Sequence, residues 1–519
     1  MTTTVNHEAE LNSQPQLFGH PAGLYVCFFT EMWERFSFYG MKYLLLLYLT
    51  KYHLFSDAGG LDVLGSYAGL VYAMPVIGGM LADRYLGMRK AVTFGAILLC
   101  LGHLGLAYEG FQAYINDSGE IIQDAGAIQV FYFSLALIIM GVGFLKPNIS
   151  TIVGQLYGKE DVRRDSGFTI FYMGINLGSF IATLTVTWLG ETYGWGYGFG
   201  LAGVGMLLGL IVFLSGQKYL YGFAEPRDPQ LLRQKVFAGI NREWLIYLGT
   251  LPALFLVWQL VQYNPVVHST LLGLSFLVLV GIIWFLVTQC TKEERDRMIV
   301  LLVLTMSTVV FWALFEQSAS SMTLYADRVL DRNIFGYEAT AGQFGSLNAF
   351  FIITLAPLFA WLWITLAKYR IEPSTPVKFA LGIIQAGLGF GMLVLGAMNP
   401  DEAGKVAAIW LILAYMLHTM GELCLSPVGL SAVTKLAVPK VVGVMMGAWF
   451  LATAYSELVA TQIAKLAHVD THAGEVADVG QALVAYTELF TTLFYIGVGF
   501  GLFMLLLSPW LKKRMHGIH

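Results

Sequence analysis

Apolar runs of 18 or more residues recur along most of this chain, each long enough to cross a bilayer as a helix. Within hydrocarbon every backbone N–H and C=O must be satisfied inside the segment, so repeated runs of this length leave a bundle of membrane helices as the fold. Only 12% of the 519 residues are charged, where a soluble domain carries about 25%. The sequence therefore reads as an all-α polytopic membrane protein. Helices are predicted near 24–51, 61–82, 90–109, 128–157, 165–190 and 196–220. A polar stretch, 221–243, precedes two shorter apolar segments near 244–263 and 269–290. Six more follow near 296–325, 341–367, 376–398, 404–436, 440–467 and 482–511. The expected order is six, two, six, fourteen transmembrane helices in all. It divides into an N-terminal six-helix bundle (1–220), a connector with two additional helices (221–294) and a C-terminal six-helix bundle (295–519).

Basic residues set the orientation. With the N-terminus in the cytoplasm, most of the 30 Lys and Arg fall on the cytoplasmic side, among them Arg84, Arg89, Lys90, Lys159, Arg163, Arg164, Lys292, Arg295, Arg297 and Lys512 to Arg514. The opposite side receives Lys51, Arg328, Arg332 and Lys405. An even helix count returns the C-terminus to the cytoplasm. Residues 1–20 hold Glu8 and Glu10 but no Lys or Arg, unlike a signal peptide. Cys27, Cys100, Cys290 and Cys424 lack CxxC spacing and read as small packing residues.

Seven ionisable residues interrupt the apolar runs: Glu31, Glu34, Arg35 and Lys42 in the first, Lys146 in the fourth, Glu316 in the ninth and Glu422 in the twelfth. A charge near the bilayer centre costs roughly +2.5 to +3.5 kcal/mol on insertion scales, so it persists where it faces a partner or a water-filled path. The four helices begin near 24, 128, 296 and 404, at similar spacing within each half. Three-helix units used four times, as two six-helix halves, resemble the plan of major facilitator transporters, in which the first helix of each unit lines the cavity. Glu457 falls outside this pattern and is expected to pair with Lys465 or a neighbouring helix.

At 100° per residue, Glu31, Glu34, Arg35, Phe38 and Lys42 share an arc of about 100°. Two carboxylates beside a guanidinium on one buried face can share protons, because the cation favours ionisation and desolvation opposes it. A static ion-pair cluster would need fewer charges. The run from Gly78 and Gly79 through Asp83, Arg84 and Gly87 to Arg89 and Lys90 resembles the loop signature of the major facilitator superfamily, with a conformational role. Tyr172, Asn176 and Ser179 share a face of the fifth helix.

Together, ExxERFxxYG at 31–40, GxGxxKPN at 141–148 and FYxxINxGS at 171–179 resemble the proton-dependent oligopeptide transporter (POT/PTR2) family, bacterial type. The loop run and the FEQ run at Glu316 are also similar, and 244–290 looks like the extra helix pair of bacterial members. The resemblance implies a proton-coupling group of Glu31, Glu34, Arg35 and Glu316. It implies peptide-binding positions at Tyr39, Lys42, Tyr72, Lys146, Asn176, Trp312, Asn348, Glu422, Ser426 and Trp449, with Lys42 and Lys146 toward the peptide carboxylate and Glu422 toward its amine. Gly79, Asp83, Arg84 and Arg89 match the conformational loop. Phe38 stands where many members have Tyr, and Lys42 where Arg is common, which loses bidentate geometry. No histidine lies near Tyr72 in the second helix, and His103 and His418 read as helix-packing residues.

A zwitterionic peptide carries fixed charges at both ends whatever its side chains, so opposite charges with aromatic walls suit varied di- and tripeptides. The expectation is a proton-coupled symporter importing di- and tripeptides by alternating access, in the bacterial inner (plasma) membrane. It would need protons as coupling ion, no cofactor or metal, membrane lipid around it, no nucleic acid and no obligatory protein partner. A major facilitator carrier for another small anionic or drug-like solute is the alternative. An intramembrane enzyme would need a nucleophile–base pair or metal ligands such as HExxH, which the sequence lacks. A channel would want a repeated pore-lining ring rather than two matched halves. Asp57, Asp327 and Arg328 are candidates for an extracellular gate. The extra helix pair should pack on the periphery, with Gln259 the residue that could bond to the core.

Overall fold

The computed structural model describes residues 14–518 apart from 159–160, 221, 227, 238 and 468. Thirteen segments among them are long and apolar enough to cross a membrane. The fourteenth span is α1, Ala22–Leu47, whose four charges mask its length. The others are α2 (Asp57–Leu81), α3 (Met88–Leu106), α4 (Ala125–Gln155), α5 (Arg164–Tyr193), α6 (Trp195–Gly216), α7 (Arg242–Val261), α8 (Asn264–Thr288), α9 (Lys292–Phe315), α10 (Ser346–Lys368), α11 (Thr375–Gly396), α12 (Ala408–Leu436), α13 (Val442–Ala464) and α14 (Val479–Arg514). The six-two-six order is therefore present. Short two-stranded pairs in the loops, such as Gln16–Leu17 with His20–Pro21, escape the sequence because two residues carry no periodicity.

The helices group into two compact units. The first holds residues 1–44, 70–113 and 122–263; the second holds 45–69, 114–121 and 264–519. In the first, α3 packs along α4 and α6, α5 against α6, and α7 against α4. A Cβ at Gly178 would collide with the Met32 carbonyl, so a glycine is required there for α5 to seat directly on the charged helix α1. In the second unit, α11 packs against α12 and α14, α9 against α13, α10 against α12, and α8 against α13.

Two departures from straight helix matter for the site. The end of α1 continues as a π-helical turn, Tyr48–Tyr52, and that of α2 as Ala82–Leu86. The span beginning with α9 is broken: Glu316–Ala319 is a 3-10 turn, and helix resumes at Ser321–Arg328. Backbone groups freed within a membrane need new partners. Gln317 Nε2 donates to the carbonyls of Ala313 (3.1 Å) and Ala460 (2.9 Å). Thr323 Oγ1 donates to the Ser318 carbonyl at 2.7 Å.

Of the two additional helices, α7 packs within the first unit and α8 within the second. Lys90 Nζ reaches both Glu243 oxygens at 2.6 Å, tying α3 to α7. Gln262, rather than Gln259, contacts the core, accepting from Gln129 of α4 at 3.1 Å. It lies just past the end of α7 and faces α4 there, a direction the apolar pattern does not encode. Gln262→Ala is expected to leave peptide affinity within about twofold of the parent, because a half-exposed amide bond contributes about 1 kcal/mol to packing and touches no candidate site residue. Titration of purified protein with dialanine checks this, and a tenfold loss at an unchanged melting midpoint would place the pair on the substrate path.

Candidate functional site

In the first unit the charged stripe of α1 is buried: Glu31, Glu34, Arg35 and Lys42 all lie inside the bundle. The Arg35 guanidinium forks onto Glu34, Nη2 donating to Oε1 at 2.6 Å and Nε to Oε2. Its Nε also lies 3.4 Å from Glu31 Oε1, one turn back. The second Glu31 oxygen, Oε2, is buried without a hydrogen-bond partner among the described residues. One guanidinium thus serves two carboxylates, and one of them retains an unused acceptor. Arg35 also sits 4.8 Å from the Phe38 ring centroid, and the Phe38 ring meets Tyr39 edge-on at 5.2 Å.

Lys146 of α4 places its ammonium 4.3 Å from the centroid of the Tyr72 ring, and Lys42 approaches the same ring at 6.0 Å. Two cations from different helices therefore converge on one half-buried aromatic of α2. Asn176, on the α5 face opposite α1, donates to its own helix at the Tyr172 carbonyl (3.0 Å) rather than across to a neighbour. An i−4 carbonyl is always in reach of such a side chain.

The loop after α2 is less uniform than its motif. Asp83 and Arg84 are exposed, and Arg84 leans on Tyr85 at 5.4 Å. Gly79 lies over Pro147 of α4. Arg89 does the fastening: it bonds Glu225 with Nε at 2.8 Å and Nη2 at 2.9 Å, and Gln217 with Nη1 at 2.8 Å.

In the second unit Asn348 of α10 donates to Glu422 Oε2 of α12 at 2.9 Å and to Thr419 at 3.1 Å. Glu422 is buried, and Ser426 lies half-buried one turn on. Glu316 opens the 3-10 turn of the broken span. Trp312 stacks edge-on against Phe311 (5.2 Å) and Phe315 (5.3 Å); Trp449 packs edge-on to Phe379 at 6.4 Å.

The sequence named three gate candidates, Asp57, Asp327 and Arg328, without pairing them, and did not name Lys51 or Tyr486 for that role. Arg328 forks onto Asp57 at 2.5 and 2.6 Å and donates to the Tyr486 hydroxyl at 3.0 Å. Asp327 accepts from Lys51 at 2.9 Å. Lys465 pairs with Asp62, not with Glu457; Asp62 belongs to α2, far from α13 in sequence, so local spacing pointed elsewhere. Glu457 itself is buried.

The POT family pattern matches residues 89–482. A transporter of Bacillus subtilis (strain 168), YclF, is 40% identical over 528 residues, covering 99% of each chain. The chain belongs to the POT family. A peptide transporter, YePEPT, of Yersinia enterocolitica subsp. palearctica is 38% identical over 470 residues, covering 85% of this chain and 87% of that one. Among solved structures, a peptide transporter POT in complex with alafosfalin superimposes with a TM-score of 0.80 at 36% identity, covering 98% of this chain and 99% of the other. This POT family member is a multi-pass membrane protein with the major facilitator fold, two six-helix halves and an extra helix pair.

Proposed function

We propose that this chain is a proton-coupled symporter that imports di- and tripeptides by alternating access. The observation that carries it is the buried α1 stripe, in which one guanidinium holds two carboxylates and one carboxylate oxygen has no hydrogen-bond partner among the described residues. A carboxylate pair sharing one buried cation is the kind of acid–base group that proton coupling requires. Relatives and solved structures named as peptide transporters support the substrate class. Proton coupling is assigned to Glu31, Glu34, Arg35 and Glu316. Lys42 and Lys146 meet the peptide carboxylate and Glu422, held by Asn348, meets the amine; Asn176 and Ser426 add polar contacts. Tyr39, Tyr72, Trp312 and Trp449 accept varied side chains. Gly79, Asp83, Arg84 and Arg89, with the Asp57–Arg328 and Asp327–Lys51 pairs, take part in the conformational cycle. The working division is 1–220, 221–294 and 295–519, with both termini cytoplasmic in a bacterial inner membrane and no cofactor or obligatory partner.

Proteoliposomes loaded with buffer are expected to accumulate labelled dialanine only under an inward proton gradient. Accumulation driven by sodium, or unchanged by an uncoupler, would overturn the reading.

Lys146→Ala and Glu422→Ala are each expected to weaken peptide binding by about 2 kcal/mol or more, the scale for losing a buried charge partner. N-acetylation of the peptide removes the amine charge. It should weaken binding to the parent yet add little in the Glu422→Ala protein. Equal losses in both proteins, measured by competition against dialanine, would remove Glu422 from the amine.

A further inference from the structure

The additional helix α8 is fastened at its start to two helices of the second unit. Asn264 opens α8, is 5% exposed and uses both ends of its amide on other helices. Its Nδ2 donates to the Asp62 carbonyl and to Ser66 Oγ of α2, each at 3.1 Å. Its Oδ1 accepts from Gln462 Nε2 of α13 at 3.3 Å. Lys465 closes the circuit, donating to the Asp62 carboxylate and to Gln462 Oε1 at 3.5 Å. Glycines let these backbones meet. A Cβ at Gly65 of α2 would collide with Thr461 Oγ1, and one at Gly69 would touch Leu271 of α8 at 3.2 Å and Leu458 of α13 at 3.4 Å.

Asp62 lies about one and a half turns along α2 from Asp57, which Arg328 clasps. The Asp62–Lys465 pair itself is partly exposed, and such pairs contribute little. The Asn264 amide is buried, where an unmet donor costs more. Its two donors are matched on α2 and its acceptor on α13, so it is satisfied only while these helices lie together. If α2 moves away, both donors lose their acceptors at once. The amide therefore favours the closed seam over any arrangement in which the helices part. On the alternating-access reading of this chain, we propose that Asn264 is a positioning residue of transport. Through it, α8 holds the start of α2 against the end of α13 and sets how often that seam opens.

The test reads the seam directly. Nitroxide labels are placed through Ala58→Cys and Leu466→Cys, both exposed positions on its two sides, in the full chain with Cys27, Cys100, Cys290 and Cys424 replaced by alanine. Pulsed electron–electron resonance in detergent then gives the ratio of long to short separations. Asn264→Leu is expected to raise that ratio about tenfold over the parent, and Gln462→Ala to raise it in the same direction. A ratio unchanged in both variants overturns the proposal, even where the melting midpoint falls, because Asn264 would then only anchor α8. If Asn264→Leu does not fold, Ser66→Ala, which removes one acceptor of the same amide, decides: a raised ratio supports the proposal and a parental ratio refutes it. Uptake of labelled dialanine by the unlabelled parent under a proton gradient is measured alongside. Uptake with an unchanged ratio refutes the role of the seam alone, whereas no uptake refutes the transport reading and this proposal with it.

Discussion

Arg35→Ala is expected to abolish proton-driven peptide uptake, lowering the rate at least about a hundredfold. Arg35 is 2% exposed and is the guanidinium shared by Glu34 and Glu31. Removing one partner of a buried pair costs about 3–5 kcal/mol, because the other charge stays buried without compensation. Here two carboxylates lose that partner at once. Glu34→Gln is the complementary change, leaving the cation without its fork. Arg35→Lys keeps the charge but not the bidentate geometry and should fall between. Labelled dialanine uptake under an imposed proton gradient, run beside gradient-free counterflow, measures the effect. Counterflow can survive where coupling is lost. Proton-driven rates at parent level in both Arg35→Ala and Glu34→Gln would exclude these residues from coupling.

The second large effect belongs to Arg328. Its side chain is 2% exposed and makes three charge-assisted or hydroxyl contacts with Asp57 and Tyr486. Arg328→Ala should destabilise the conformation that contains this pair by about 3 kcal/mol or more, over a hundredfold in population. A lower melting midpoint and altered uptake are the expected readouts. Asp57→Asn should act in the same direction, and the double variant should lose less than the sum of the singles, since the two residues share one interaction. Parent-like midpoints and uptake in all three proteins would show that the pair does not hold a transport state.

The helices were legible because membrane helices must satisfy their own backbone and so announce themselves by apolar length. The stripe of α1 was legible because helical periodicity is enough to place Glu31, Glu34, Arg35 and Lys42 on one face. The convergence of Lys146 on Tyr72 followed from neither rule; the motif resemblance gave both as peptide-binding positions without pairing them. The break at Glu316 reads through as one span because no Pro or Gly stands there; the polar run Glu316 to Ser321 that follows the apolar half was the available signal. What permits the break is a set of tertiary acceptors and donors: the Ala460 carbonyl for Gln317 and the Tyr415 hydroxyl for the Ser318 carbonyl at 3.4 Å. Asp57, Asp327 and Arg328 stood out as gate candidates, but the pairings Asp57–Arg328 and Lys51–Asp327 span about 270 residues and no local pattern links them.

That break makes an elbow of the ninth span. A continuous helix carries a twist applied at one end to the other as a rigid rod; a tight turn in its middle absorbs it. The forearm, Ser321–Arg328, is clasped at its tip by Asp57 and Tyr486, and Trp312 belongs to the upper arm, Lys292–Phe315. The clasp at the tip and the seat of the upper arm on α13 thus lie on opposite sides of the joint Glu316–Ala319, and the carboxyl of Glu316 stands at the joint itself.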